Sequence, residues 1–295
     1  MKKLVPENAI IDGKRIAWGV YGEGEPVVLM HGTPFFSHIW RHLYPELVAA
    51  GYQVWIYDLF GFGHSERPRD PVVDTSVSAQ LPILLKLLDH WQLPRAHFVA
   101  HDIGGAIAKQ LGIYHPERIQ SLTLIDCVSF DSWPSPRTRQ QMAEGLEKLI
   151  TASDAEHRQH FSDWILSAAC DQDSLRADAL GDYLEMIAGP VGQASLFQHQ
   201  IRHYDPEHTD KLTPRLHELG ELPVQLVWGA DDIWQVTDWA HRLHASIPGS
   251  SLHILEHCGH LVMEDQPLKL RERVLEHLQG NPFQSLDSGK RISGF

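Results

Sequence analysis

The residues best placed for covalent chemistry are Asp102, Asp232 and His260, each in a loop that directly follows a short apolar run. Asp102 stands in "FVAHDIGGAIAKQ", where Phe98-Val99-Ala100 meets a glycine-rich helix start at Gly104-Gly105. A carboxylate there has two readings. It can cap the helix by accepting hydrogen bonds from its first turn. It can instead be a nucleophile, and the chemistry is then restricted. Attack by a carboxylate on saturated carbon gives an ester, whose carbonyl water can attack in a second step, whereas a serine would give an inert ether. Attack on an acyl carbon would leave an anhydride. The aspartate therefore suits an electrophilic sp³ carbon, as in epoxides and alkyl halides. His260 in "HCGH" would be the general base that draws a proton from water, and a carboxylate of "GADD" would orient it.

Such loops need a scaffold that gathers strand ends. Strands are expected at Pro26–Met30, Gln53–Asp58, Ala96–Ala100, Ser121–Asp126, Pro223–Gly229 and Ser251–Leu255. A helix is expected between Ser76 and Trp91, starting late because of Pro82, and another up to Tyr114. Strand and helix alternate, which predicts an α/β fold with a mostly parallel central sheet flanked by helices. Functional loops then lie at the carboxyl ends of the strands. The rhythm lapses from about Phe130 to Gly220, so a helical lid is expected before the last strands. The implied division is a core at 1–129, a cap at 130–220, the rest of the core at 221–280 and a flexible tail at 281–295.

Composition narrows the partners. Lys and Arg number 25 against 38 Asp and Glu, a net charge of −13, so nucleic acid and anionic membranes are not expected to bind. A small-molecule substrate is the expected partner, for a monomer or a homodimer. No apolar run reaches membrane-spanning length, and the two lysines of "MKKLVPE" precede no apolar stretch of a secretory signal. Cys127, Cys170 and Cys258 are odd in number and far apart, which fits a reduced, cytoplasmic setting. The 20 histidines show no metal-ligand spacing, and neither metal nor cofactor is expected.

With "HGTPFFSHIWRHL" at 31–43 and "DLFGFGHSERP" at 58–68, the chain resembles the α/β-hydrolases of the aspartate-nucleophile branch. These include epoxide hydrolases, haloalkane dehalogenases and fluoroacetate dehalogenases. The resemblance spans roughly Ile10–Val128 and Leu222–Leu278, and its chain order of nucleophile, acid and histidine is that of the fold. It implies Asp102 as nucleophile, His260 as base and Asp232 as the orienting acid. Asp126, 24 residues beyond Asp102, matches an alternative acid position. The oxyanion hole falls to the backbone N–H groups of Thr33 and Ile103. His31 would buttress its loop, and Asp58, Gly61, Gly63 and Ser65 would build turns.

The chain also departs from these families. Ala100 replaces the first glycine of the nucleophile motif, Ile103 stands where a tryptophan follows the nucleophile, and Thr33 stands where many dehalogenases have asparagine. Both dehalogenase readings weaken. For epoxides a lid tyrosine would protonate the leaving oxygen, and Tyr204, 28 residues before Asp232, and Tyr183 are the candidates, with His157 or His160 as substitutes for a second donor. Trp40, Trp133 and Trp164 are candidate pocket walls. The leading expectation is epoxide-type hydrolysis, then dehalogenation, then ester, lactone or lyase chemistry, or a ligand binder without turnover.

Overall fold

The sheet has eight strands, and where they end decides where the chemistry lies. The computed structural model describes residues 3–283. In chain order the strands are β1 (Glu7–Ile11), β2 (Lys14–Tyr21), β3 (Glu25–Met30), β4 (Tyr52–Tyr57), β5 (Ala96–His101), β6 (Ile119–Ile125), β7 (Val224–Gly229) and β8 (Ser251–Leu255). They lie side by side as β1-β2-β4-β3-β5-β6-β7-β8. β2 runs antiparallel to both of its neighbours, and every pairing from β4 to β8 is parallel. Each residue of β5, β6 and β7 is buried. Helices therefore cover both faces of these strands, and their sequences read as unbroken apolar runs.

The helices begin with α1 (Tyr44–Ala49), α2 (Val77–His90) and α3 (Ile103–Tyr114), which follow β3, β4 and β5. Between β6 and β7 the chain forms α4 (Pro136–Glu144), α5 (Glu147–Ile150), α6 (Asp154–Leu166), α7 (Gln172–Asp178), α8 (Leu180–Ile187), α9 (Gly189–Ser195) and α10 (Glu207–Asp210). The core then resumes with α11 (Thr237–Ser246), α12 (Val262–Asp265) and α13 (Pro267–Gly280). No helix among the described residues is long and apolar enough to cross a membrane.

Three local expectations change. The β1–β2 hairpin stands ahead of the first expected strand, turned by Asp12 (φ 49°) and Gly13 (φ 76°). That pair of positive φ values is what a two-residue hairpin turn asks for. α2 starts at Val77 and carries Pro82 inside it, because the Ser76 side chain caps its first turn at the Ala79 N–H. Of the expected loose tail, Asn281 and Pro282 accept hydrogen bonds from Gln120 and the Phe283 N–H donates to Glu25. The remainder, 284–295, lies outside the described residues.

Parallel register brings the strand ends level. Met30 of β3 pairs with Ala100 of β5, and Ala100 with Leu124 of β6. Ile125 pairs with Val227 of β7, and Gly229 with Leu255 of β8. The loops carrying Thr33, Asp102, Asp126, Asp232 and His260 consequently leave the sheet along one edge.

Candidate active site

Asp102 occupies the turn from β5 into α3 with φ 52° and ψ −120°, a conformation that an L-residue holds only when its surroundings impose it. Two glycines make room for it. A Cβ on Gly32 would lie 2.3 Å from the Asp102 Cβ, and one on Gly105 would lie 2.3 Å from the Cys127 Cβ. The Asp102 side chain makes no capping bond to α3, although it precedes the helix. Its carboxylate turns the other way. Oδ1 accepts the Thr33 N–H at 2.8 Å, and Oδ2 faces His260 Nε2 at 3.6 Å. The capping reading of this aspartate fails on that geometry. Ile103 follows directly, and its amide belongs to the first turn of α3, where N–H groups have no partner within the helix.

His260 is fully buried and joined through Nδ1 to Asp232 Oδ2 at 2.8 Å. Asp232 is itself fixed, since its Oδ1 accepts the N–H groups of Trp234 at 2.7 Å and Gln235 at 2.9 Å. Burial disfavours charge on His260, but the Asp232 and Asp102 carboxylates outweigh it and raise its pKa well above the ordinary range. Burial likewise opposes ionisation of Asp102, and His260, with the Thr33 N–H, overcomes it and lowers its pKa. In the resting site a carboxylate therefore faces an imidazolium.

Asp126 lies in the same cluster without touching His260 by a hydrogen bond. Its Oδ1 accepts the Gly229 N–H at 2.9 Å, and its Oδ2 is buried with no hydrogen-bond partner. Burial and the adjacent Asp232 raise its pKa well above that of a carboxylate in water. Of the two candidate acids, Asp232 holds the histidine. Ligand atoms of Asp126, Asp232 and His260 lie within 4.8 Å of one another, a spacing a metal ion could bridge. The 2.8 Å contact between Asp232 and His260 is nonetheless a hydrogen-bond length, shorter than the roughly 3.3 Å that two ligands keep on a tetrahedral ion with ~2.0 Å bonds.

Two further histidines shape the loops. His31 accepts the Leu59 N–H at Nε2 and bonds the Gly32 carbonyl at Nδ1, which is the buttress the resemblance implies. His101 bonds the His260 carbonyl at 3.0 Å, and burial together with the neighbouring His260 holds its pKa down to about 3.

Beside Asp102 opens a cavity of about 320 Å³. Trp133, Trp164, Trp234 and Tyr204 form much of its wall, with Thr33 and Asp102 among its lining residues. Trp164 of α6 stacks on Trp234 at 4.5 Å between ring centroids, and Trp234 lies 5.0 Å from the His260 ring. The Tyr204 hydroxyl bonds Thr33 Oγ1, which in turn contacts Gln200 Oε1 at 3.4 Å. Burial raises the Tyr204 pKa, so the phenol keeps its proton. Gln200 ends a π-helix at Leu196–Gln200, whose five-residue hydrogen-bond spacing sets where Gln200 points.

The other expected wall and donor residues lie elsewhere. Trp40 is wholly buried and absent from the cavity wall. Tyr183 is absent too, because its hydroxyl is bonded to Glu264 and approached by Arg41, and Arg41 also bonds Asp178. His157 bonds the Ile187 carbonyl, and His160 contacts Arg137. Arg137, Gln200 and Gln235 escaped the sequence reading, and the strongest signal for Arg137 was the helix start "SPR" at 135–137.

A model of the alpha/beta hydrolase fold matches residues 25–267. The chain belongs to that family. A solved alpha/beta hydrolase fold protein from Burkholderia ambifaria is 32% identical, with 94% of this chain and 98% of that one covered at a TM-score of 0.84. The 2-hydroxy-6-oxononadienedioate/2-hydroxy-6-oxononatrienedioate hydrolase of Paraburkholderia xenovorans is 26% identical over 275 residues, 87% of this chain and 88% of that protein. The enol-lactonase of Burkholderia xenovorans, 19% identical, covers 92% of this chain and all of its own (100%) at a TM-score of 0.76, a likeness of fold alone.

Proposed function

We propose that the protein hydrolyses a small epoxide by a two-step route through an ester on Asp102. The observation that carries this reading is the Asp102 carboxylate, turned away from helix capping, with Oδ1 on the Thr33 N–H, Oδ2 toward His260, and the residue itself among those that line the cavity. In the first step Oδ2 attacks a ring carbon, the C–O bond breaks, and the leaving oxygen takes a proton from Tyr204. Esterification removes the negative charge of Asp102, and with it part of what holds a proton on His260. Solvent in the cavity carries that proton to the Tyr204 phenolate, and the histidine becomes a base only when the ester exists. In the second step neutral His260 takes a proton from water, and hydroxide attacks the ester carbonyl. The oxyanion that forms is stabilised by the N–H groups of Thr33 and Ile103. Collapse breaks the ester C–O bond and expels an alkoxide, which takes the proton of the new Asp102 carboxyl group to give the diol, and the site returns to carboxylate and imidazolium.

One feature favours an oxygen leaving group over a halide: Tyr204 in the cavity wall is a neutral phenol, which can give up its proton as an indole N–H cannot, and it would leave its bond to Thr33 Oγ1 to do so. Acyl substrates fit less well, because an anhydride would result.

A single turnover in H₂¹⁸O with enzyme in excess tests the reading. The proposal expects the first diol to carry unlabelled oxygen from Asp102 and the label to enter Asp102 itself. Label found directly in the first diol would refute attack by Asp102. In a His260→Ala variant the ester should accumulate and be visible as an adduct mapped to Asp102 by mass spectrometry, and a halide instead of an epoxide as the accepted electrophile would redirect the substrate class.

A further inference from the structure

Attack by Asp102 defines the reacting end of the substrate and says nothing of its far end. Among the described residues lining the cavity, only Asp102 and Arg137 carry charge, and aromatic side chains fill much of the wall they share. Arg137 makes no ion pair with a carboxylate among the described residues, whereas Arg41 pairs with Asp178 and Glu264 and Arg118 with Asp89. Its side-chain contact is Nη2 to His160 Nδ1 at 3.0 Å. The imidazole nitrogen accepts there, so it orients the guanidinium without neutralising it.

The position is also a poor one for the helix. Arg137 stands in the first turn of α4, a turn with no acidic residue. A cation there opposes the helix dipole, whose positive end is at the N-terminus. Helix stability therefore does not account for the residue, which is exposed where it lines the cavity, so an anion entering there would meet its guanidinium.

We propose that the substrate carries a carboxylate, bound by Arg137, at the end of an apolar body whose other end presents the electrophilic carbon to Asp102. The proposal rests on the epoxide reading for that reacting end. The guanidinium fork matches a carboxylate with two parallel hydrogen bonds. A single unpaired cation also suits a monoanion better than a dianionic phosphate. The 320 Å³ cavity amounts to about ten water volumes, room for an aromatic ring with a short chain.

The test needs no turnover. Trp133, Trp164 and Trp234 line the cavity, so their fluorescence reports occupancy. Binding of 3-phenylpropionate, its amide and 2-phenylethylphosphonate is titrated against the unmodified protein and against Arg137→Gln, Arg137→Lys and Arg137→Glu. The unmodified protein is expected to prefer the carboxylate over the amide about tenfold or more, since a charged hydrogen bond of that kind corresponds to at least that ratio. Arg137→Gln should bring the ratio near one, Arg137→Lys should keep part of it, and Arg137→Glu should invert it. A ratio near one in the unmodified protein overturns the proposal. So does Arg137→Gln weakening carboxylate and amide alike, or tighter binding of the phosphonate. The reading of Asp102 fails separately: a persistent carboxylate preference without any adduct in His260→Ala removes the epoxide route and leaves the anion site.

Discussion

Replacing Asp232 by Asn separates the two acids that surround His260. The Asp232–His260 contact is 2.8 Å long and buried. At an effective dielectric of ~20, a carboxylate and an imidazolium at that distance attract by about 6 kcal/mol. Asparagine can keep the acceptor for the Trp234 and Gln235 N–H groups, so the loop should hold. It then turns an amide N–H₂ toward Nδ1, which places the imidazole proton on Nε2 and leaves no base facing the ester. If half or more of the attraction is lost at the transition state, ester hydrolysis slows by roughly 10²–10⁴-fold. Alkylation of Asp102 needs no base and should survive. Rapid quench with intact-protein mass spectrometry should accordingly show one equivalent of adduct forming quickly and decaying slowly. Asp126→Asn should change the rate by no more than about threefold, because Asp126 makes no hydrogen bond to His260 and Asn preserves the acceptor for the Gly229 N–H. Collapse of hydrolysis in Asp126→Asn with Asp232→Asn nearly unaffected would reverse the assignment.

Tyr204→Phe should reduce epoxide opening by about 10²–10³-fold, within the range of general acid catalysis, and leave the decay of a preformed ester within a few-fold; equal slowing of both steps would point to a packing role. Gly105→Ala puts a Cβ 2.3 Å from that of Cys127 and should lower stability by on the order of 2–3 kcal/mol, read as an earlier urea midpoint, and an unchanged midpoint would contradict the close approach. Burial of His101 should cost stability in acid, against the opposite slope of Asp126, whose raised pKa gives stability that is lost as pH climbs above the ordinary carboxylate range. His101 has a folded pKa of about 3, so below pH 6.5 the unfolded chain binds a proton that the folded one refuses, a loss of about 5 kcal/mol when complete. His260 acts in the opposite sense, because its raised pKa gives stability that is complete below 6.5 and lost as pH climbs through the folded value. An acid-side fall in melting temperature as steep in His101→Asn as in the unmodified protein would contradict the buried neutral state of His101.

Much of the scaffold was legible because five strands, β3 to β7, are buried or nearly so, and they announce themselves as apolar runs closed by glycine or aspartate. The β1–β2 hairpin was missed although Asp12-Gly13 is a recognisable turn, because exposed and charged residues interrupt its alternation. Asp102, Asp232 and His260 could be read from loop chemistry, since each follows a strand whose end the fold must bring to one edge. The cavity wall was harder. Trp40 and Trp133 are the same residue type, and only the packing of the helices between β6 and β7 decides that one faces the core and the other the cavity. Tyr183 and Tyr204 differ in the same way, and the partner that separates them is Glu264, 81 residues from the first tyrosine in sequence. Long-range partners of that kind leave no local trace.

The π-helix at Leu196–Gln200 has a consequence for how this chemistry could be gained or lost. Each residue added to or removed from a helical stretch rotates the downstream chain by about 100°. Excision of one codon within the stretch would swing Gln200 off Thr33 and carry Tyr204 with it, with every side chain retained. The supply of a proton to the departing oxygen is thus governed by chain length at one place as well as by residue identity. Relatives differing by a single-residue gap there would diverge in leaving group while keeping the same nucleophile, base and acid.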